Sequence, residues 1–281
     1  MPHAFRLVNV FTVGDDRFSG NPLCVFEDAR GLTDAQMQAI ARQMNLSETT
    51  FVLPAEHPEA DARVRIFTPG FEMPFAGHPT LGTASVVGAA RDRVTLEMKA
   101  GLVPVTRDGA SWTLCTARPP EARKVNASPP ELASMLDLPD EAIAGEPLWV
   151  STGVEQLVIP LASAEFVRTA RPVLSLLERW GYSSARNEAM AYVWAAEGDE
   201  WPVRFFFTSN GVLLEDPATG SACANLGGWW IATGRELPMS ATLRQGDAVG
   251  RPSRLGLRVD EDRGIHVTGA VIELGHGTID V

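Results

Sequence analysis

The chain is poor in several things, and each scarcity closes off a class of function. Only three cysteines occur in 281 residues. Cys24, Cys115 and Cys223 are widely spaced, with no C-x-x-C pair and no adjacent histidines, so neither a disulfide framework nor a zinc site is expected. That usage suits reduced thiols in a cytoplasmic setting. No stretch reaches the roughly 20 apolar residues of a membrane helix, and the opening MPHAFRLVNVFTVGDD is too broken for a signal peptide. Basic residues are outnumbered, 24 Lys+Arg against 35 Asp+Glu, for a net charge of −11. Without a basic stripe, nucleic acid is not an expected partner. His3, His57, His78, His266 and His276 lack ligand spacing, so no metal is expected. Neither G-x-G-x-x-G nor G-x-x-x-x-G-K-[ST] is present, so no nucleotide cofactor is expected either.

What is present is an ordinary folded composition, 45% hydrophobic and 21% charged. The length suggests two domains. Strands are expected at 5–13, 23–26, 63–67, 94–98, 102–106 and 112–116, with a further strand in TTFVLP. GLTDAQMQAIARQMN is a helix, with Thr33 and Gln36 at capping-box spacing and Met37, Ile40, Ala41 and Met44 as its apolar stripe. Residues 119–147, rich in proline around a short helical candidate at 131–136, read as a connection. It separates a domain at 1–118 from one at 148–281, leaving room for a C-terminal strand to return to the first. Strands near 148–150 and 156–160, a helix at 174–180, and strands at 191–195, 203–207, 255–259, 265–268 and 270–274 complete the second.

Two uncharged segments repeat one another. In the first half VRIFT precedes HPTLGTA; in the second VRFFFT precedes DPATGSA. His78 and Asp216 occupy equivalent places, each before a proline and a helix with no polar face. Such a helix must be buried on every side. The expected architecture is therefore α+β: two pseudo-symmetric domains, each a β-barrel-like sheet wrapped around a central apolar helix, with small residues admitting close approach. Pro79 and Pro217 suit a first helical turn, and Asp216 suits an N-cap. Both helix N-termini would offer N–H groups and partial positive charge to a small carboxylate in an interdomain cleft, with His78 and Asp216 at its edges. Glu215 is well placed near a positive helix end and is otherwise unexplained. Trp229 and Trp230 read as packing.

GNP (20–22), NLSETTF (45–51), FTPGFEMPFAGHPTLGTA (67–84), STGVEQLVIPL (151–161), EDPATGSA (215–222) and QGDAVGRPS (245–253) together resemble the PhzF-like phenazine-biosynthesis isomerase family across nearly the whole chain. The resemblance implies a diaminopimelate epimerase-like fold, a homodimer and the site in the cleft. It also implies that Glu48 of SETTF is the acid/base group, that His78 and Asp216 flank the reacting ring, and that Ser47, Gly77, Gly220 and Ser221 hold substrate polar groups. Asn21 of GNP fits a turn and a binding role equally well. Relatives that epimerise amino acids use a cysteine at each helix start; here those places hold Gly-His and Asp-Pro. Three functions stay open. The first is a cofactor-independent isomerase shifting a proton, and with it a double bond, on a small carboxylated dihydro-hydroxyanthranilate-like substrate. The second is an epimerase or racemase of a small amino or hydroxy acid. The third is a non-catalytic small-ligand-binding relative.

Overall fold

The computed structural model describes residues 2–88 and 90–281. It divides into two compact units, Met1–Cys115 with Thr268–Val281, and Thr116–Val267. The first contains β1 (Pro2–Val10), β2 (Asn21–Phe26), α1 (Asp34–Met44), β3 (Thr49–Leu53), β4 (Ala62–Phe67), β5 (Glu72–Met73), α2 (Gly77–Val87), β6 (Arg93–Met98), β7 (Gly101–Asp108) and β8 (Ser111–Cys115). The second contains β9 (Glu121–Lys124), α3 (Pro129–Met135), β10 (Leu148–Ser151), β11 (Glu155–Pro160), α4 (Ala164–Thr169), α5 (Leu174–Trp180), β12 (Tyr182–Ser183), β13 (Glu188–Trp194), β14 (Glu200–Ser209), β15 (Val212–Asp216), α6 (Gly220–Ala232), β16 (Met239–Gln245) and β17 (Ser253–Val259). A last strand, β18 (Ile265–Asp280), begins in the second unit and ends in the first.

In the first unit the strands run β18–β1–β2–β3–β4–β6–β7–β8 and return to β18, closing an eight-strand barrel. Closure leaves no unpaired edge in that ring. The β2·β3 and β4·β6 pairs are parallel, bridged by α1 and by α2 with β5, and the other pairs with a printed register are antiparallel. The second unit repeats the order. β10 and β11 pair antiparallel, β11 and β13 parallel across α4 and α5, β13 and β14 antiparallel, β14 and β16 parallel across β15 and α6, and β16 and β17 antiparallel. The internal repeat read from two short motifs thus extends to seven successive elements of sheet topology.

At the centre of the first unit, α2 packs against β1, β2, β3, β4, β6 and β8, and residues 77–84 are all buried. Gly82 is where the sheet comes closest: a Cβ there would lie 2.6 Å from Leu23 Cδ2 and 2.9 Å from Val10 Cγ2. In the second unit α6 packs against β9, β10, β11 and β17. Gly227 and Gly228 do for it what Gly82 does for α2, facing Ile265 and Val150 at 2.9 and 2.8 Å. Trp229, 1% exposed, stacks edge-on against Trp194 and donates its indole N–H to the Glu146 carbonyl at 2.7 Å. It is packing, as expected.

Several sequence expectations need correction. The proline-rich stretch is not a bare connection; it contributes β9 and α3 to the second unit, with Leu132, Ala133 and Met135 buried. The two terminal strands are one, because Gly269 lies within β18 beside Phe11, where a Cβ would come 2.2 Å from the ring. β16 is a strand where the sequence shows no strand signal. Its residues Ser240, Thr242 and Arg244 interrupt any apolar run, since only alternate positions face inward.

Glu215 now has a role, and it is structural. Its carboxylate receives both Nε and Nη2 of Arg204, at 3.0 and 2.7 Å, with the two side chains only 11% and 10% exposed. The remaining guanidinium nitrogen, Nη1, donates to the carbonyls of Val167, Arg168 and Ala170, closing the end of α4. The first unit has the same device. Arg65 is held by Glu72 through Nε and Nη2 at 2.7 and 2.8 Å, and both arginines lie over the phenylalanine two residues on. Bidentate pairing in a half-dry site is the strong form of ion pair, and breaking one side leaves a buried charge. Glu215→Gln is therefore expected to lower unfolding stability by about 3 kcal/mol, read as a shift in the urea midpoint; an unchanged midpoint would refute this assignment.

Candidate active site

The residues expected to act lie in two groups, one in each unit. In the first, α1 ends at Asn45, whose left-handed backbone (φ 53°) turns the chain sharply. Ser47 is exposed and Glu48 is the last residue before β3. β3 pairs parallel with β2, Cys24 opposite Thr49, which sets Glu48 alongside the start of β2, where Asn21 is fully buried. From the other direction, Thr50 and Thr83 share a hydroxyl hydrogen bond of 2.8 Å that ties β3 to α2. Gly77 and His78 open that helix and are buried. The outcome is a contact between Glu48 Oε2 and His78 Nδ1 at 3.5 Å, with side chains 15% and 6% exposed.

The electrostatics of this pair follow from burial. Desolvation pushes the His78 imidazole from its ordinary 6.5 down to about 3, against the weaker opposing pull of the Pro22 carbonyl. The ring is neutral at physiological pH. An imidazolium would hold Glu48 as a passive counter-ion; a neutral ring leaves the carboxylate its basicity and still offers one N–H and one acceptor nitrogen. His78 Nε2 is buried with no hydrogen-bond partner among the described residues. Native structures rarely leave such an atom unsatisfied unless a site is built around it.

In the second unit, Asp216 closes β15 rather than capping a helix, which corrects the N-cap expectation. The helix starts four residues later at Gly220, and Thr219 stands at the cap without a side-chain cap bond. Pro217 consequently lies in the turn, whereas Pro79 is in the first turn of α2 as expected. The Thr219 hydroxyl donates to Asp216 Oδ2 at 2.5 Å, and Gln245 from β16 spans both residues. Ser221, the second residue of α6, accepts from Gln156 Nε2 at 2.8 Å, so its hydroxyl hydrogen is left to donate. Gln156 in turn accepts from Asn225 at 2.6 Å, and Asn225 holds the 152–154 turn through Thr152 and Val154. None of Thr219, Gln245, Gln156 or Asn225 was singled out from sequence. Thr219, Gln245 and Gln156 lie inside the motifs EDPATGSA, QGDAVGRPS and STGVEQLVIPL, but only the tertiary structure brings Gln245 to Thr219 and Gln156 to Ser221.

Burial raises the thiols, Cys24 to about 12 and Cys223 higher still. Neither is a thiolate, as expected for Cys223 within its helix.

The His78 shift has a consequence for stability. Unfolded His78 takes up a proton as pH falls through 6.5, whereas the folded ring resists until about 3. The associated stability is complete above pH 6.5 and is lost as pH falls towards 3, by up to about 1.4 kcal/mol per pH unit. His78→Asn should flatten urea-midpoint profiles between pH 6 and 4 relative to wild type; parallel profiles would contradict a buried neutral ring.

Comparison with known proteins establishes the family and the fold. A model of the phenazine biosynthesis-like protein family matches residues 8–277. An uncharacterized isomerase of Pasteurella multocida is 41% identical, covering 100% of this chain and 95% of that protein. The trans-2,3-dihydro-3-hydroxyanthranilate isomerase of Pseudomonas aeruginosa is 35% identical over 92% of this chain and 91% of its own length. Among solved structures, a PhzF-family phenazine biosynthesis protein of Bacillus anthracis superposes with a TM-score of 0.85 over 100% of both chains, at 22% identity, a likeness of fold. The chain is a member of the phenazine biosynthesis-like (PhzF) family of isomerases.

Proposed function

We propose that the protein isomerises a small carboxylated, dihydro-hydroxyanthranilate-like compound by moving a proton from one carbon to another. The observation that carries this reading is the Glu48–His78 pair, a shielded carboxylate 3.5 Å from a neutral imidazole. Glu48 as carboxylate takes the proton from carbon, and the C–H electron pair moves into the conjugated system as a new double bond. The same carboxyl then returns the proton at the far end of that system. Atoms and electrons balance within the substrate, and Glu48 is regenerated. Between the two steps the carboxyl, 15% exposed, exchanges its hydrogen with solvent, so the hydrogen returned need not be the one removed.

His78 keeps its neutral form throughout and meets a substrate oxygen or nitrogen through Nε2, the ring atom without a partner among the described residues. In the first unit Asn21, Ser47 and Gly77 are proposed to bind substrate; in the second, Asp216 is proposed to exchange protons and Gly220 and Ser221 to bind. The substrate class is supported by the Pseudomonas aeruginosa relative, whose name gives trans-2,3-dihydro-3-hydroxyanthranilate. It also fits the polar inventory of the second unit, in which Ser221 and the first-turn N–H groups of α6 suit a carboxylate.

The test follows the proton. Wild type and Glu48→Gln are incubated with trans-2,3-dihydro-3-hydroxyanthranilate in D₂O, and deuterium is located by NMR. Wild type should place deuterium at a new carbon, and Glu48→Gln should be slower by about 10²–10⁴-fold, the usual worth of a positioned acid/base group. Equal turnover by the two proteins would remove Glu48 from the mechanism. Exchange with inversion at the original carbon would instead identify an epimerase, and binding without exchange a non-catalytic relative.

A further inference from the structure

The motif QGDAVGRPS has no part in the chemistry so far, yet its first two residues grip the turn that carries Asp216. Gln245 ends β16 and is 1% exposed. Its amide nitrogen donates to the Asp216 backbone carbonyl at 2.9 Å and to Thr219 Oγ1 at 3.0 Å. Its amide oxygen accepts the Thr219 backbone N–H at 3.2 Å. This amide orientation is forced, because the flipped form would set oxygen against the Asp216 carbonyl and NH₂ against an N–H. The Thr219 hydroxyl receives a hydrogen from Gln245 and has only one of its own to give. It gives it to Asp216 Oδ2 at 2.5 Å.

We propose that Gln245 and Thr219 are positioning residues that hold the Asp216 carboxylate in one rotamer and in its ionised form for the reaction; this rests on the reading of Asp216 as a reacting group. A short bond donated into one oxygen favours the charged carboxylate and stops it swinging. Gly246 completes the grip. With φ at +84°, a Cβ there would come 2.1 Å from the Arg251 carbonyl oxygen and 2.5 Å from that of Pro217. Both neighbours are backbone and cannot yield, so only glycine lets β16 close onto the residue after Asp216.

The first unit supplies an internal control. Aligning HPTLGTA with DPATGSA sets Leu81 where the second copy has Thr219. The strand equivalent to β16 is β6, each the parallel partner of the Val-Arg strand, and β6 ends in Met98. Leu81 is fully buried, and the hydroxyl near Met98 belongs to Thr80, 3.6 Å from its sulfur. The copy that carries a neutral histidine has an apolar pair where the copy that carries a carboxylate has a directed relay.

Charged groups on the elements packed against Asp216 are few. Glu215 and Arg204 are paired with each other, Glu200 at the start of β14 is paired with Arg254, Arg244 is paired with Asp247, and Arg251 lies in the β16–β17 connection. None is altered by the variants used to test the relay. Thr219→Val, Gln245→Met and Thr219→Ser are compared with wild type, using ¹³C-aspartate-labelled protein and assigning the Asp216 carboxyl by its loss in Asp216→Asn. Circular dichroism establishes that each variant is folded. Thr219→Val and Gln245→Met should raise the Asp216 titration midpoint by about one unit, and Thr219→Ser should restore it. On trans-2,3-dihydro-3-hydroxyanthranilate, Thr219→Val should lower kcat by roughly 10-fold or more with KM little changed, again recovered in Thr219→Ser. An unmoved Asp216 titration in folded Thr219→Val overturns the relay whatever the turnover. Wild-type turnover by Asp216→Asn overturns the reading beneath it, by removing Asp216 from the reaction.

Discussion

A helix without a polar face has nowhere to lie but inside, and that constraint organises both halves of this protein. Residues 77–84 and most of α6 are small or apolar on every side and are buried on every side. In the first unit the sheet must go all the way round, and eight strands close on themselves to do it. Closing so tightly requires glycine where helix and sheet touch, at Gly82 in one unit and at Gly227 and Gly228 in the other. The same enclosure that protects each helix body leaves its N-terminal end as the place where polar groups gather. Structure and site thus have one cause.

The repeated scaffold has been fitted out differently in its two copies. Both keep the arginine–glutamate clamp that ties the central strand to its hairpin, Arg65 with Glu72 and Arg204 with Glu215. Beyond that shared frame the chemistry diverges. The first copy buries an imidazole deeply enough to keep it neutral and stations a carboxylate beside it. The second carries a carboxylate at the end of β15 and orients it through a threonine and a glutamine. One copy is tuned by removing water, the other by adding directed hydrogen bonds.

Glu215 shows how sequence and fold can point in different directions at neighbouring residues. Read along the chain, Glu215 and Asp216 are a pair of acids before a helix, and both suit its positive end. In the sheet they alternate. Glu215 turns to Arg204 and vanishes into a bidentate ion pair, while Asp216 meets Thr219. Strand periodicity of two separates them, and it shows only once β15 is seen to run through both residues. The misplaced helix start has the same origin: Asp-Pro is a good cap signature, but Gln245 occupies the Thr219 N–H and pins the turn in extended form.

Composition, periodicity and the repeated Pro-x-x-Gly-[Ser/Thr]-Ala motif determined the α+β class, the duplication, the capped helix at 34–44 and the burial of both apolar helices. These are local properties, set by side chains a few residues apart, and they read directly from one dimension. The motif resemblance also placed Glu48 and His78 among the site residues, though not in contact. Only the tertiary structure decided that contact, because it depends on parallel pairing of β2 with β3 and a threonine bridge from β3 to α2. The return of β18 to close the first barrel, the part taken by β9 and α3, and the meeting of Gln245 with Thr219 are of the same kind. Each joins residues far apart in the chain, and the energy that selects such a pairing lies in the partner, not in the segment.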